Sequence, residues 1–363
     1  MKKILFISQY LNRAGTEAFM MSVFRGIDHS RFQTDFLLYT QKETDYSREV
    51  EAAGGKVWRV VCRRESPIGW YRELYKFFSH HASEYSAIHF NGNGLTAIAP
   101  IVLAFIYKIP IRITHAHNSS SKGLHNRILH KLQRGLSRRL TTHHFACSSE
   151  AAKWFYGNSN ATIIKNGIDI SKFKFSPEVR EHVREQLGVK PTTTVMGHVG
   201  RFQAEKNHTF IVDVFKEYCK LHEDSILLLI GDGDLMESTR QKIHQVGLAD
   251  KVRLLGERTD VNLLLQAFDL FLMPSTFEGQ PFVLIEAQCC GLPCLVSDVI
   301  NADICLTDNV SRYSLNRSAR EWAKKVEEIL SKYERKDESE TIRSEGYSAA
   351  DTITYLEQVY NGK

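Results

Sequence analysis

The stretch TVMGHVGRFQAEKNHTFIVDVF (residues 194–215) decides the fold class. It begins with a short apolar run, 194–200, passes through a polar loop, and continues from Asn207 with apolar residues at helical spacing. A strand, a loop and a helix in this order form the repeating unit of an α/β sheet. The same alternation continues after it, with further strands predicted at 226–230, 252–255, 270–273 and 293–296.

A second series of alternating segments precedes this stretch. Apolar runs of strand length occur at 4–8, 34–39, 56–61, 87–90, 111–114, 144–147 and 162–165. A polar connection at 173–194 separates the two series. We therefore predict an α/β protein with two facing Rossmann-like domains and a deep cleft between them, divided as residues 1–175 and 176–345. A last helix at about 347–361 is expected to pack back onto the first domain.

Composition and charge narrow the classes of function. The 363 residues are 43% hydrophobic and 25% charged, carry a net charge of +5, and contain no basic-aromatic tract of the nucleic-acid-binding kind. The seven cysteines form no C-x-x-C or zinc-ligand pattern, which favours a reducing compartment. The longest apolar stretch, 95–107, is too short to span a bilayer. We expect a cytoplasmic protein without nucleic-acid partners, ordered except near 332–340.

The polar loop after the strand at 194–200 carries two cations. Gly200, Arg201 and Lys206 lie between that strand and the helix that starts near Asn207. Free N–H groups and the positive end of the helix dipole add to such cations and favour a diphosphate. Two surface cations in an ordinary loop are the alternative interpretation.

The next predicted strand is followed by the turn GDGD. Gly231 and Gly233 would allow a ligand to approach the backbone closely. Asp232 and Asp234 have the spacing of a divalent metal site beside a diphosphate, but turn aspartates that cap the following helix are the commoner case. We therefore predict no metal at this turn.

Two histidines, His115 and His117, end a predicted strand of the first domain. An H-x-H pair at a strand end binds metal in some hydrolases, but the further ligands of such a site do not follow in the sequence. A neutral histidine that faces the cleft as a polar contact is the favoured interpretation, and either residue can supply it.

A basic amphipathic stretch runs from Lys122 to Leu140. Leucine or isoleucine recurs every four residues, and no Asp or Glu occurs between residues 85 and 149. The cations form one stripe, which consists of Arg127, Lys131, Arg134 and Arg138. A solvated helix face is one interpretation. The other, which the missing acids favour, is an interfacial helix that contacts anionic lipid or a phosphorylated acceptor.

The stretch STFEGQPFVLIEAQCCGLP (residues 275–293) places two glutamates in apolar company. Glu278 follows a predicted strand, and Glu286 lies inside the helix that Pro281 opens. An unpaired carboxylate among apolar residues is costly, which favours a role in binding. The two carboxylates can accept hydrogen bonds from vicinal hydroxyls, and the free N–H groups at the helix start can donate to a sugar or phosphate. A loop acid and a helix ion pair are the alternative.

These motifs resemble those of the family-4 glycosyltransferases of GT-B fold. The resemblance is closest to the members that build capsules and exopolysaccharides. The spacing E-x7-E, preceded by G-R-x4-K-N and G-x-G-x-L, is the most specific part, and NGID-x3-F at 166–173 resembles the family's hinge segment. The match is nearly continuous over 195–298. The resemblance implies a retaining sugar transfer from a nucleotide sugar, usually a UDP-sugar, to a glycan or lipid-linked glycan. It implies no cofactor and no required metal.

The resemblance also implies a role for each candidate residue. Arg201 and Lys206 would hold the diphosphate and stabilise the leaving group. Glu278 would contact the transferred sugar, Glu286 would bind the ribose hydroxyls, and His117 aligns best with the cleft histidine. The remaining donor-binding positions are Gly15, Gly200, Gly233, Arg258, Gly279, Gln280, Pro281, Phe282 and Val283.

The sequence departs from the family pattern at two places. The first loop reads AGTE at 14–17, where many members have two glycines, and QPF at 280–282 replaces a commoner segment, so the identity of the donor sugar is not carried over. A nucleotide-sugar 2-epimerase on the same fold, which needs no acceptor, is one alternative function. A non-catalytic nucleotide-sugar-binding partner of another transferase is the other. The basic stretch adds the expectation of a peripheral position on the inner face of the cell membrane.

Overall fold

The computed structural model describes residues 1–12, 15–92, 94–118, 123–157 and 160–362. These residues form two compact units. Unit 1 consists of Met1–Gly167 together with Ala349–Lys363, and unit 2 consists of Ile168–Ser348. The division therefore falls before Ile168 rather than at the predicted 175/176.

Ile168 explains the position of this boundary. Its N–H donates to the carbonyl of Tyr347 at 2.8 Å, and it pairs with Ser348 in an isolated parallel bridge. Its side chain is buried in a small cluster with Ile285 and Ile342 of unit 2. The chain therefore joins unit 2 through backbone and core contacts several residues before the polar connection from which the boundary was predicted.

Unit 1 is built on a parallel sheet. Its strands are β1 (Lys2–Ser8), β2 (Phe32–Leu38), β3 (Val57–Arg59), β4 (Ala87–Gly92), β5 (Ile111–Ala116), β6 (His143–Ala146) and β7 (Thr162–Ile163). Over the described residues their order in the sheet is β3-β2-β1-β4-β5-β6-β7. The direction of winding reverses between β1 and β4, and ligands of such sheets bind at the carboxyl ends of the strands beside this point.

Helices cover both faces of this sheet. Unit 1 contains α1 (Gly15–Gly26), α2 (Asp45–Ala52), α3 (Pro67–His81), α4 (Ala99–Ile106), α5 (Leu124–Leu140) and α6 (Ser149–Tyr156). One core cluster joins the sheet to α3, α4 and α6, and the other joins it to α1 and α2. Strands β1 and β2 are buried on both faces over most of their length, as expected for a parallel sheet covered by helices, although β2 includes the buried polar residues Thr34 and Asp35.

Unit 2 repeats this plan. Its strands are β8 (Thr194–Val199), β9 (Ser225–Ile230), β10 (Val252–Leu254), β11 (Leu270–Met273), β12 (Cys294–Ser297) and β13 (Val310–Tyr313). Its helices are α7 (Ile170–Phe173), α8 (Pro177–Gln186), α9 (His208–Cys219), α10 (Met236–Gln245), α11 (Val261–Ala267), α12 (Phe282–Cys289), α13 (Ala319–Lys332) and α14 (Ser339–Ser344). The sheet order is β10-β9-β8-β11-β12-β13 over the described residues, so the winding reverses between β8 and β11.

The last helix, α15 (Ala349–Tyr360), belongs to unit 1. Leu356, Val359 and Tyr360 are buried in the same cluster as α1. The hydroxyl of Tyr360 lies 2.7 Å from Nδ1 of His89 on β4. The C-terminal end of the chain is thus part of the core of unit 1, as expected from the sequence.

The expectation of disorder near 332–340 was wrong. Arg335 is deeply packed there, and its guanidinium donates hydrogen bonds to four backbone carbonyls, those of Leu265, Gln266, Phe268 and Cys290. The guanidinium also lies over the ring of Phe175, 4.2 Å from its centroid. These carbonyls end α11 and α12, where the last helical C=O groups need donors, so the polar segment closes two helix ends.

Strand β13 was not predicted, because its four residues, VSRY, are short and mostly half-exposed at the edge of the sheet. Within the described ranges, no helix is both long and apolar enough to cross a membrane.

Candidate functional site

Two loops of unit 2 meet where the winding of its sheet reverses. Strands β8 and β11 are neighbours, with Met196 opposite Leu270. The N–H of Thr276 donates to the carbonyl of Glu205 at 2.8 Å, and Nδ2 of Asn207 donates to the carbonyl of Pro274 at 3.2 Å. The loop after β8 is therefore tied to the loop after β11 by hydrogen bonds to backbone carbonyls.

This contact brings together two of the predicted site residues. Nζ of Lys206 lies 2.7 and 2.8 Å from the two carboxylate oxygens of Glu278. The side chains are only 22% and 9% exposed, so the pair is largely shielded from water. A charge-assisted hydrogen bond in such surroundings is stronger than a surface ion pair. The pair neutralises both groups and holds them at one edge of the sheet.

The start of α9 beside this pair has the features of an anion site. Asn207 adopts a left-handed conformation with φ of +58° and leads directly into the helix. No described residue accepts a hydrogen bond from the N–H of His208 or Thr209. Arg201, in the same loop, is exposed and forms no ion pair with a described residue. Free N–H groups and unneutralised positive charge at a helix start attract phosphate.

The glycines of the loop after β9 serve loop packing. A Cβ on Gly231 would lie 2.2 Å from the carbonyl oxygen of Gly200, and one on Gly233 would lie 2.7 Å from that of Phe202. Both glycines have positive φ, +134° and +151°. They are needed for the contact between the loops after β8 and β9, which differs from the predicted role of letting a ligand approach.

The aspartates of this turn are exposed. Oδ1 of Asp232 accepts the N–H of Gly233 at 2.8 Å, and no side chain caps α10, whose first turn follows Leu235. The predicted capping role of Asp232 and Asp234 was therefore wrong, since the hydrogen bond stays inside the turn. Across the described residues, no group of three or more His, Cys, Asp and Glu side chains is arranged to hold a metal ion.

Two buried histidines support the loop after β8, and sequence reasoning missed them. Nδ1 of His198 donates to the carbonyl of Leu272 at 2.8 Å, and burial keeps its pKa well below the ordinary value. His208 stacks on Phe202 at 3.9 Å between ring centroids, and burial beside Lys206 lowers its pKa to about 4. Both rings are neutral at pH 7. A Cβ on Gly200 would lie 2.9 Å from Nε2 of His198, which explains the glycine there.

The second glutamate of the stretch 275–293 lies on α12. Glu286 is partly buried, no described residue donates a hydrogen bond to its carboxylate, and desolvation raises its pKa to about 7. At the start of the same helix, the N–H groups of Gln280, Phe282 and Val283 have no described acceptor. An unsatisfied carboxyl one and a half turns behind free N–H groups is costly unless a ligand contacts it.

The other predicted donor-binding positions differ in their surroundings. Pro281 is buried as the residue before α12, whereas Gly279 is exposed with open space where a side chain would stand. Arg258 forms a bidentate ion pair with Asp260, at 2.6 and 2.8 Å. Its hydrogen bonds within the described chain go to that aspartate, so the structure does not join Arg258 to the Lys206–Glu278 pair.

In unit 1, the two histidines have different surroundings. His115 is fully buried, with Nδ1 3.2 Å from Nε2 of His89, whereas His117 is partly exposed. Nε2 of His117 lies 3.0 Å from Oδ1 of Asn91, and Nδ2 of Asn91 donates to the carbonyl of His89 at 3.0 Å. Because a carbonyl only accepts, this arrangement orients the amide and places the proton of His117 on Nε2. Burial lowers the pKa of His117 to about 3 and keeps it neutral.

A cavity of about 730 Å³ lies at the carboxyl ends of β1, β2 and β4. Its walls include Glu17, Arg63, Asn91 and His130, together with aromatic side chains such as Trp70. Burial raises the pKa of Glu17. Sequence reasoning placed Glu17 in the first loop but named none of these residues as a site residue, although Asn91 and Arg63 lie at or just beyond strand ends, where that signal was available. Gly15 is the first residue of α1, and residues 13 and 14 of the predicted first loop lie outside the described residues.

Comparison with known proteins identifies the family of this chain. Residues 179–347 match the family model "Glycosyl transferases group 1". EpsF of Bacillus subtilis (strain 168), which its name assigns to the glycosyltransferases, is 31% identical over 376 residues, covering 99% of this chain and 96% of EpsF. The UDP-Gal:alpha-D-GlcNAc-diphosphoundecaprenol alpha-1,3-galactosyltransferase of Escherichia coli is 35% identical over 151 residues, 41% of this chain and 39% of that protein.

Among solved structures, Anabaena HepE in complex with UDP superposes with a TM-score of 0.76 at 21% identity and covers 100% of both chains. This likeness concerns the fold. It confirms two Rossmann-like units of the GT-B type, as the sequence motifs predicted. With the full-length similarity to EpsF, it follows that this chain belongs to the glycosyltransferases of GT-B fold.

Proposed function

We propose that this protein transfers a sugar from a UDP-sugar to a glycan or lipid-linked glycan, with retention at the anomeric carbon, in the synthesis of a surface polysaccharide. The observation that carries the proposal is the shielded Lys206–Glu278 pair at the point where the winding of unit 2 reverses. The names of the relatives support the class of substrate. The Escherichia coli relative is named for UDP-Gal and a diphosphoundecaprenol-linked sugar, and the HepE structure contains UDP.

The loop after β8 would bind the diphosphate of the donor. Lys206 and Arg201 supply positive charge, and the free N–H groups of His208 and Thr209 supply hydrogen bonds. A diphosphate competes with Glu278 for the ammonium of Lys206, which leaves the carboxylate able to accept hydrogen bonds from the sugar hydroxyls. Negative charge that develops on the leaving nucleoside diphosphate is stabilised by the same groups, and such preorganised charge is a large source of rate enhancement.

On α12, Glu286 would bind the ribose. Two vicinal hydroxyls can donate to its carboxylate, which has no described donor of its own. The N–H groups of Gln280, Phe282 and Val283 would donate to oxygens of the sugar or the phosphate. Ligand hydroxyls would thus satisfy the groups at this helix that the protein leaves unpaired.

In the proposed reaction, the bond between the anomeric carbon and the diphosphate oxygen breaks as the acceptor oxygen forms the new bond on the same face. The acceptor proton passes to the departing phosphate oxygen. No protein nucleophile takes part, so the contribution of the protein is positioning and charge stabilisation. We also propose that no metal is required. EDTA should then leave the rate unchanged, and loss of activity that Mg²⁺ or Mn²⁺ restores would contradict this part of the proposal.

The assay that tests the function measures UDP release and product from a panel of UDP-sugars, with and without acceptors. Lys206→Ala and Glu278→Ala should each lower kcat/KM by about a hundredfold or more. The first removes positive charge beside the leaving diphosphate, and the second removes hydrogen bonds that position the transferred sugar. The matched controls are Lys220→Ala and Glu217→Ala, which remove an exposed ion pair of the same unit. They should retain full activity.

The same assay distinguishes the alternatives. Full activity of both site variants with the fold intact would refute the transferase site. Conversion of one UDP-sugar into another without acceptor would identify a 2-epimerase. Tight UDP binding without turnover across the panel would identify a non-catalytic binding partner.

A membrane surface is the proposed setting of the acceptor. Leu124, Ile128, Leu132 and Leu136 of α5 are all exposed, although they are large and apolar. Arg134 is less exposed than the other cations of the predicted stripe. It is partly buried, donates to the carbonyl of Trp154 and lies over the ring of that residue. Lys122 lies outside the described residues. An amphipathic helix with exposed leucines beside cations is typical of proteins that lie on anionic bilayers, here the inner face of the cell membrane.

A further inference from the structure

Three helices of unit 1 lie side by side. Helix α4 packs against both α3 and α5. Trp70 of α3 and Ile101 of α4 are buried in the same core cluster over one face of the sheet. At the end of α4, the ring of Tyr107 lies 6.4 Å from that of Tyr75 on α3. The outward sides of α3, α4 and α5 therefore form one surface, which we call the three-helix face.

The three-helix face is unusually apolar for a surface. It carries half of the large apolar side chains that are exposed in the described chain: Ile68, Tyr71, Tyr75, Phe105, Ile106, Leu124, Ile128, Leu132 and Leu136. The fractions are high, with Ile68 at 83% and Leu132 at 75%. Contiguous apolar surface on a folded protein marks a site that contacts another molecule or a membrane.

The charge around this face identifies the kind of partner. Residues 60–149 contain twelve Lys and Arg but three Asp and Glu, whereas the whole chain contains 47 and 42. Two of the three acids are used internally, since Glu84 binds Lys3 and His81 while Glu73 accepts the N–H of Val61. The positive excess of the chain is concentrated here. Cations interleaved with exposed leucine, isoleucine and tyrosine fit a bilayer with anionic lipids, because the anionic surface attracts clustered Lys and Arg while the apolar side chains enter its interface.

Two of these helices, α3 and α5, also form walls of the cavity of unit 1. Arg63 and Arg64 lie in the segment that leads into α3, Trp70 lies on α3, and Asn126 and His130 lie on α5. The guanidinium of Arg63 is held by a hydrogen bond to the carbonyl of Thr96 and lies 5.7 Å from the ring centroid of Trp70. The cavity and the three-helix face thus share two helices.

We infer that α3, α4 and α5 together dock unit 1 on an anionic bilayer, so that the polar part of a membrane-anchored acceptor reaches the cavity that α3 and α5 help to line. The docking surface is wider than α5 alone, because α3 and α4 contribute five of its nine apolar side chains. The assignment of the acceptor rests on the proposed transferase function. The docking does not, since it concerns only the outer surface of unit 1.

Vesicle co-sedimentation tests the docking directly. The full chain is mixed with vesicles of phosphatidylcholine alone or of phosphatidylcholine with phosphatidylglycerol, at low and high salt. The wild type should bind the anionic vesicles at least tenfold better than the neutral ones and lose most of this preference at high salt, since the attraction of cations to anionic lipid is screened.

Double variants separate the three-helix face from a single helix. Ile68→Ser with Tyr71→Ser on α3, and Ile128→Ser with Leu132→Ser on α5, should each weaken binding to anionic vesicles at least fivefold. The matched control, Leu221→Ser with Val299→Ser, removes two exposed apolar side chains of unit 2 and should bind as the wild type does. Wild-type binding by the α3 variant would overturn the three-helix face, and equal binding to neutral and anionic vesicles would overturn the choice of partner.

Two further measurements distinguish a loss of vesicle binding from a change of oligomeric state and from damage to the fold of unit 2. Gel filtration identifies a dimer, and a change from dimer to monomer in the face variants without vesicle binding would assign the surface to a second copy of the chain. UDP-induced stabilisation of each variant should equal that of the wild type, which shows that unit 2 is intact. Vesicle binding without any turnover of UDP-sugars would leave the docking in place and refute only the transferase proposal.

Discussion

Replacing Glu286 by glutamine should stabilise the protein above pH 7. Desolvation raises the pKa of this carboxyl from 4.5 to about 7. Because the pKa is higher in the folded state, the folded protein holds a proton that the unfolded chain has lost between these values. The stabilising contribution is therefore complete below about pH 4.5 and disappears as the pH rises to about 7. The shift corresponds to roughly 3 kcal/mol.

The assay is urea unfolding of the wild type and Glu286→Gln at pH 5, 6, 7 and 8. Glutamine keeps the shape but carries no charge, so the free energy of unfolding of the variant should exceed that of the wild type by up to about 3 kcal/mol at pH 8, and by much less at pH 5. Glu181→Gln, on exposed helix α8, is the control and should show no such pH dependence. A constant difference between wild type and Glu286→Gln from pH 5 to 8 would refute the reasoning.

Nucleotide binding should respond in the opposite direction. If ribose hydroxyls donate to the ionised carboxylate, as we propose, UDP affinity of the wild type should fall about tenfold for each pH unit below 7. Glu286→Gln should bind UDP more weakly at pH 8 and show little change with pH. Calorimetry over the same pH range measures both. An unchanged affinity in the variant would mean that Glu286 does not contact the nucleotide.

Two further changes test the scaffold of the site by urea unfolding. Gly233→Ala should destabilise the protein by roughly 1–3 kcal/mol, because a Cβ would lie 2.7 Å from a backbone oxygen at a φ of +151°, whereas Gly135→Ala, in open space on α5, should stabilise it by up to about 1 kcal/mol. Equal effects of the two would contradict the packing of the loops after β8 and β9. Arg335→Ala should cost roughly 3 kcal/mol, because the carbonyls of Leu265 and Cys290 lose their donor, whereas those of Gln266 and Phe268 keep Arg180. Arg240→Ala, which removes an exposed ion pair, should cost less than about 1 kcal/mol. Similar losses in both arginine variants would contradict the helix-closing role of Arg335.

Local patterns were sufficient for most of the fold. Apolar runs bounded by polar turns located twelve of the thirteen described strands, and the alternation with helices specified two parallel sheets. The exception, β13, has neither a continuous apolar run nor full burial, because its edge position requires neither. At Arg335 the sequence misled in the opposite direction. The polar segment around it was predicted to be disordered, but Arg335 donates to carbonyls more than forty residues away in the sequence, and these hydrogen bonds order the segment.

The candidate site divides in the same way. The motif around Glu278 and Glu286 could be recognised because helix starts, strand ends and their spacing are local properties. The residues that support this site could not be recognised from the sequence. His198 and His208 lie in the core beneath the loop after β8, and a buried histidine has no signature that separates it from an exposed one in a single sequence. The cavity of unit 1 was missed because its walls come from several strand ends and three helices.

By itself, then, the sequence determined the order of strands and helices, the class of fold and the positions of charged residues in the loops that follow strands. Each of these depends on residues close together in the chain. Only the tertiary structure decided which of those residues meet. Lys206 contacts Glu278, 72 positions away, because β8 and β11 are hydrogen-bonded neighbours at the reversal of the sheet. The exposed apolar side chains of α3, α4 and α5 become one surface because α4 packs against both of the other helices.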